Sequence, residues 1–112
     1  MGTRSLTKIY NDSNKLLVCI YGQYDGYPSG HGKVLSDFIK DKNIVNGIGT
    51  GNTLDNSFNG MDCFAAALVA HLKTDIGGFY LYPHDTDENI VNYTYHIRNI
   101  NNKLTIQISG NG

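Results

Sequence analysis

Residues 21–32 read YGQYDGYPSGHG, with four glycines, three tyrosines, one aspartate and one histidine in twelve positions. Ordering such a segment is expensive, because glycine loses more backbone freedom on folding than any other residue. A strand-like run, KLLVCIYG (15–22), precedes it, and a helix-like run, KVLSDFIKDK (33–42), follows. A glycine-rich turn between strand and helix gathers backbone N–H groups at the helix N-terminus, where the dipole favours negative charge. On this reading the segment is a backbone-built pocket for a small anionic or polar ligand, nucleotide-like ones included. Its candidate binding residues are Gln23, Tyr24, Asp25, Gly26, Tyr27, Ser29, Gly30, His31 and Gly32. Arg4 is the candidate cation, since a guanidinium holds carboxylate or phosphate in a fixed fork. Gly26, Gly30 and Gly32 space as G-x3-G-x-G, which is not the dinucleotide fingerprint, and the Lys-Ser/Thr of a P-loop is missing. The same residues also suit a plain turn: Asp25-Gly26 favours a tight bend, and Pro28 fixes its own φ.

Two other chemistries compete with binding. Cys63, in the first turn of a second helix, could be a thiolate nucleophile, with His31 or His96 as base and Asp25 as orienting group. Its neighbours Phe64 and Ala65 point instead to a buried thiol. Asp25 and Asp62 could form an acid/base pair. A small hydrolase- or transferase-like enzyme is therefore the second reading, centred on Cys63 or Asp25. The third is an interaction protein that pairs with another copy through tyrosine-rich strands, as a homo-oligomer. No cofactor or metal is indicated, because His31, His71, His84 and His96 lack ligand spacing. His84-Asp85 and Asp87-Glu88 read as a solvated acidic turn.

Composition narrows the class. At 112 residues, with 40% hydrophobic and 17% charged residues, the chain is sized for one globular domain spanning 1–112. A net charge of −1 and nine scattered basic residues argue against a nucleic-acid partner. The longest apolar stretch, Cys63 to Ala70, is too short to span a membrane, and no secretory pattern opens the chain. Cys19 and Cys63 both sit in apolar runs and read as free, buried thiols of a reducing compartment, which places the protein in the cytoplasm.

The elements that must position these residues follow from periodicity. Residues 3–10 and 15–22 form a hairpin across the NDSN turn, with 15–22, apolar on both faces, as an inner strand covered on two sides or a strand under a helix layer. Val34, Leu35, Phe38 and Ile39 make one helical stripe. Residues 43–60 read as a long loop, and 46–60 could close over the pocket as a lid. The second helix starts at Asn59, with Asp62 completing a capping box, and runs as a buried central helix to the glycines of DIGG. Strands follow at 79–83, 90–98 and 103–109; in the second, Val91, Tyr93, Tyr95 and Ile97 point inward and Asn92, Thr94, His96 and Arg98 outward. The order ββααβββ predicts a two-layer α+β fold, an antiparallel sheet of about five strands with two helices on one face.

Three blocks, GTRSL (2–6), YGQYDGYPSGHG (21–32) and FNGMDCFAA (58–66), resemble a small uncharacterised protein family of bacteria, phages and large DNA viruses. That family's members open with G-T-R-[SH]-L and carry G-Q-[YW]-D-G-Y-P-x-G-x-G. Asp62 departs from the small residue expected in the third block. The resemblance implies a site shared by the blocks, which adds Asn59 and Gly60 to the candidates, and an accessory role inside a cell, but it carries no activity.

Overall fold

The computed structural model describes residues 2–45 and 57–110. Among the described residues, seven strands make one mixed sheet in the order β4-β3-β7-β6-β1-β2-β5. β1 (Ser5–Tyr10) and β2 (Leu16–Gly22) form the expected hairpin. After α1 (Lys33–Ile39) come two short strands, β3 (Asn43–Val45) and β4 (Ser57–Asn59), and then α2 (Gly60–Leu72). β5 (Phe79–Tyr82), β6 (Tyr93–Ile100) and β7 (Lys103–Gly110) complete the chain.

The α+β class and the two helices agree with the periodicity; the sheet differs in two respects. It has seven strands rather than about five, because the 43–60 region contributes β3 and β4, each three residues long. Three residues hold barely one repeat of the strand period, too little for a pattern to show. The lid expected at 46–60 falls mostly outside the described residues. The sheet is also not wholly antiparallel: β1 pairs with β6 in parallel, as β3 does with β4. The parallel β1–β6 pair needs a long crossover, and the chain supplies one through β2, both helices and β5.

β2 is paired on both edges, by β1 and β5, and lies under the helix layer through Ile20, as expected; β1 is the more deeply buried of the two. Ser5, Leu6, Thr7, Lys8 and Ile9 are all buried, whereas β2 lies beside the edge strand β5. On the helix-bearing side, Ile9, Ile20, Tyr95 and Ile97 from the sheet pack with Leu35 of α1 and Met61, Phe64, Ala65, Leu68 and Leu72 of α2. These α2 positions repeat at three and four residues, so a single face is buried. Cys63 and Asp62 lie off that face and are exposed. The expected buried Cys63 thiol is thus corrected: α2 turns one face to the sheet, and Cys63 lies on its exposed side. Cys19 is buried, as expected, and burial pushes its thiol pKa up. Asn59 precedes the helix but makes no side-chain cap hydrogen bond, so the capping box is not formed. The left-handed Gly77 and Gly78 (φ 82° and 79°) stand several residues beyond Leu72 and turn the chain into β5 instead of ending α2.

On the opposite side Leu6, Cys19 and Val91 form a smaller cluster with Tyr21 and Tyr82 stacked 4.5 Å apart. The 84–89 segment, expected as a solvated acidic turn, is tied to this side: Glu88 accepts a 2.8 Å charge-assisted bond from the buried Lys8. Asn101 and Asn102, both at positive φ (54° and 65°), make the tight β6–β7 hairpin. No helix among the described residues is long and apolar enough to cross a membrane.

Candidate functional site

The segment between β2 and α1 is anchored from three sides. The amides of Gly26, Gly30, His31 and Gly32 are already spent on the chain's own carbonyls. Gly26 N–H donates to Thr3 C=O at 2.9 Å, and His31 N–H donates to Asp25 C=O at 2.8 Å. Gly30 and Gly32 N–H both donate to Tyr27 C=O, at 2.9 and 3.4 Å. Pro28–Gly32 form a single π-type turn that runs directly into α1, with Tyr27 in front of it, so neither Ser29 nor Gly30 caps the helix. This corrects the backbone-built anion pocket: donors bonded internally are not available to a phosphate.

Arg4 does not serve as the pocket's cation. Its backbone is bound to 92–93, N–H donating to Asn92 Oδ1 and C=O accepting from the amides of Asn92 and Tyr93. Its side chain is exposed and lines none of the cavity described below. What brings GTRSL and YGQYDGYPSGHG together is steric. A Cβ on Gly2 would stand 2.7 Å from Gln23 O and 2.9 Å from the Tyr24 ring, and one on Gly26 would stand 2.8 Å from Ser5 Cβ. The two blocks are complementary halves of one close backbone contact. The third block is elsewhere. Asn59, Gly60 and Asp62 line a separate hollow with Asn11, Asp12 and Ser13, at the far end of β1. Eight residues of extended chain separate Thr3 from Asn11, about 25 Å. Asp25 and Asp62 are therefore no acid/base pair, and Asn59 and Gly60 do not join the segment.

A buried tyrosine fixes the turn from below. Tyr95, fully buried on β6, donates its hydroxyl to Gly26 C=O at 2.6 Å. Burial, more than the neighbouring Tyr93, pushes its pKa up to about 12, so the phenol keeps the proton it donates. Tyr95→Phe would leave the Gly26 carbonyl inside the protein without that donor. We expect it to cost about 1–3 kcal/mol of unfolding free energy in urea denaturation, against near neutrality for Tyr80→Phe on the exposed edge strand. His31 is equally enclosed: its Nε2 lies 2.7 Å from Thr7 Oγ1, with the Phe79 and Tyr95 rings at 5.6 and 5.3 Å. Burial lowers its pKa to about 4, so it is a neutral imidazole at neutral pH.

What the segment does build is one wall of a cavity of about 450 Å³. Tyr24, Asp25, Tyr27, Gly30 and His31 form that wall; Val34 of α1, His71 and Leu72 at the end of α2, and Gly78 and Phe79 at β5 form the rest. Gln23, Gly26, Ser29 and Gly32 are not among the lining residues. Asp25 adopts a left-handed conformation (φ 54°), which aspartate tolerates, and its exposed carboxylate lies 3.4 Å from the Tyr27 hydroxyl. His71, stacked on Phe38 at 4.5 Å, is not marked by the sequence as a site residue; it reaches the cavity only because the last turn of α2 meets the 21–32 segment. An adjoining hollow of about 380 Å³ shares Leu72 and Phe79 and adds Ile20, Val69, Lys73, Tyr80 and Leu81.

The lining sets the chemistry. Among the described residues that form the larger cavity, Asp25 brings a carboxylate and none is Lys or Arg. Tyrosine, phenylalanine, valine and leucine surround it, the pattern of an apolar pocket with a few polar groups for orientation. Lys73 lies outside, its ammonium donating to the carbonyls of Gly77 and Phe79 at 2.9 Å each and sitting 5.1 Å from the Tyr80 ring centre. A lysine on an edge strand's carbonyls impedes pairing with another strand, so self-association through β5 has this ammonium in its way.

No protein-family model matches the chain, and neither the curated proteins nor the solved structures include a match.

Proposed function

We propose that the protein is a small-ligand-binding domain whose site is the cavity between the 24–31 wall, the end of α2 and the start of β5. One observation carries this reading: the polar and aromatic residues of the costly 21–32 segment converge with His71 and Phe79, 40 or more residues away, on a single hollow of ligand size. A simple turn has no need of them. With Asp25 as the charged group and the loop amides occupied, the favoured ligand is neutral or cationic, with an aromatic or apolar face for Tyr24, Tyr27 and Phe79. We also infer an accessory role in a reducing, intracellular compartment, since the unpaired thiols of Cys19 and Cys63 suit one.

Benzamidine and benzoate make a matched probe pair, equal in ring and opposite in charge. In ¹⁵N-resolved NMR titrations, benzamidine should perturb Tyr24, Asp25, His31, His71 and Phe79, and benzoate should leave them unmoved. Asp25→Asn should weaken benzamidine by roughly tenfold, the value of one charge-assisted contact. Equal response to both probes, or perturbations spread away from these residues, would remove the reading.

A further inference from the structure

The helix-free face of the sheet carries a second arrangement. On β6, His96 and Arg98 alternate with Tyr95 and Ile97, whose side chains belong to the helix-side core. His96 and Arg98 therefore face the other way, beside Tyr10 of β1. The Arg98 guanidinium stacks 4.0 Å from the Tyr10 ring centre, and its Nε donates to Asn14 Oδ1 at 2.9 Å. Two restraints thus hold the arginine without using its terminal NH₂ groups. The Tyr10 hydroxyl and His96 Nδ1 share a 2.8 Å hydrogen bond, and Nε2 lies 3.3 Å from Ser109 Oγ; in the tautomer in which the hydroxyl donates, the imidazole proton is on Nε2 and faces the hollow. His96, Arg98, Gln107, Ile108 and Ser109 together enclose a hollow of about 160 Å³.

We propose that this hollow is a binding pocket for a small oxyanion, a phosphate or the terminal phosphate of a monoester. Its polar groups are donors or donor-capable: the guanidinium ends of Arg98, His96 Nε2 in the tautomer protonated there, the Ser109 hydroxyl and the Gln107 amide. An arginine stacked on an aromatic ring and restrained at Nε is pre-organised to offer its remaining N–H groups in a fork to an oxyanion. No acidic side chain lines the hollow among the described residues; Glu88 is held on Lys8 at 2.8 Å and Asp12 accepts from Asn99 Nδ2 at 3.0 Å. Tyr10 keeps its hydroxyl proton, since burial raises its pKa. His96 is held towards its neutral form chiefly by burial, with Arg98 and Lys8 adding to that and Glu88 opposing it. The volume suits a phosphate group and excludes a whole nucleotide, whose remainder would have to project outward. The site is independent of the cavity behind His31, which lies on the opposite face of the sheet.

The test is titration of the full ¹⁵N-labelled chain with inorganic phosphate and, separately, with phenyl phosphate, ionic strength being held constant with chloride. Saturable shifts confined to His96, Arg98, Gln107 and Ser109, weakened about tenfold or more in Arg98→Gln, are expected. Phenyl phosphate saturating as well identifies an ester terminus as an acceptable ligand; saturation by phosphate alone identifies the free ion. Ser109→Ala, at an exposed position, supplies a variant whose folding is not at risk, and should weaken phosphate by about threefold, one hydrogen bond's net worth. Shifts that never saturate, that scatter over the lysines, or that persist unchanged in either variant overturn the proposal.

Discussion

Gly26→Ala is expected to destabilise the protein by about 3 kcal/mol or more, near the upper end of what overpacking a core costs. An added Cβ would stand 2.8 Å from Ser5 Cβ, 2.9 Å from Thr3 O and 3.0 Å from the Arg4 carbonyl carbon. Two of these contacts are backbone, in the approach to the most buried strand of the sheet, and cannot swing aside as a long side chain could. Relief requires the turn to lift, which breaks the Gly26 N–H to Thr3 C=O bond and the Tyr95 hydroxyl bond to Gly26 C=O together. Gly78→Ala is the informative contrast. Nothing lies within 4 Å of its added Cβ, but its φ is 79°. The cost there is conformational alone, about 1 kcal/mol. Urea denaturation of both variants checks the pair. A Gly26→Ala protein within 1 kcal/mol of wild type would show that the two sequence blocks do not meet as closely as described, and the account of GTRSL would fall with it.

The second large effect is a loss of stability in acid. His31 carries a pKa of about 4 in the folded chain because its imidazole is buried, against an ordinary value of 6.5. Between these values the unfolded chain binds a proton that the folded one refuses. Protons therefore favour unfolding, and stability falls as pH drops from about 6.5 towards 4. Two and a half pH units at 1.36 kcal/mol each give about 3 kcal/mol, an order-of-magnitude figure. His96, also lowered, pulls in the same direction, so the contribution of His31 is best isolated by difference. His31→Gln should be less stable than wild type at pH 7, having disturbed the Thr7 contact and the ring packing with Phe79 and Tyr95. Its stability should nevertheless decline less steeply between pH 6.5 and 4. Unfolding free energies measured across that range, with the imidazole followed by NMR, decide it. An imidazole that titrates near 6.5 in the folded protein, or parallel declines in both proteins, would refute the assignment.

These two effects share an origin. The segment 21–32 is expensive to order, and the structure shows the chain using its glycines for proximity: Gly26 against β1, and Gly30 against the Asp25 carbonyl and the Tyr27 ring. Tyr24, Asp25, Tyr27 and His31 line the cavity while the amides of Gly26, Gly30, His31 and Gly32 bond within the chain. The division of labour is the reverse of a phosphate-binding loop, in which the amides face the ligand.

Local signals in the sequence determined a good deal. The β1–β2 hairpin with its Asn/Asp turn, the apolar stripe of α1, the existence of α2 and the inward row Tyr93, Tyr95 and Ile97 on β6 each arise within one or two turns of chain, where periodicity and turn chemistry act. The unusual density of Tyr, Asp and His at 21–32 likewise marked the segment that lines the cavity. Tertiary structure alone decided the rest. Whether the amides of 26–32 face a ligand depends on Thr3, more than twenty residues earlier, and on carbonyls within the turn whose directions composition does not reveal. The parallel β1–β6 pairing joins residues 88 apart, such as Ser5 and Tyr93, and takes β1 away from the sheet edge. The far wall of the cavity, His71 to Phe79, and the exposure of Cys63 follow from which side of the sheet α2 covers. Local sequence sets the form of each element, but partners distant in the chain meet only through packing, and packing sets which groups are buried, bonded or left open.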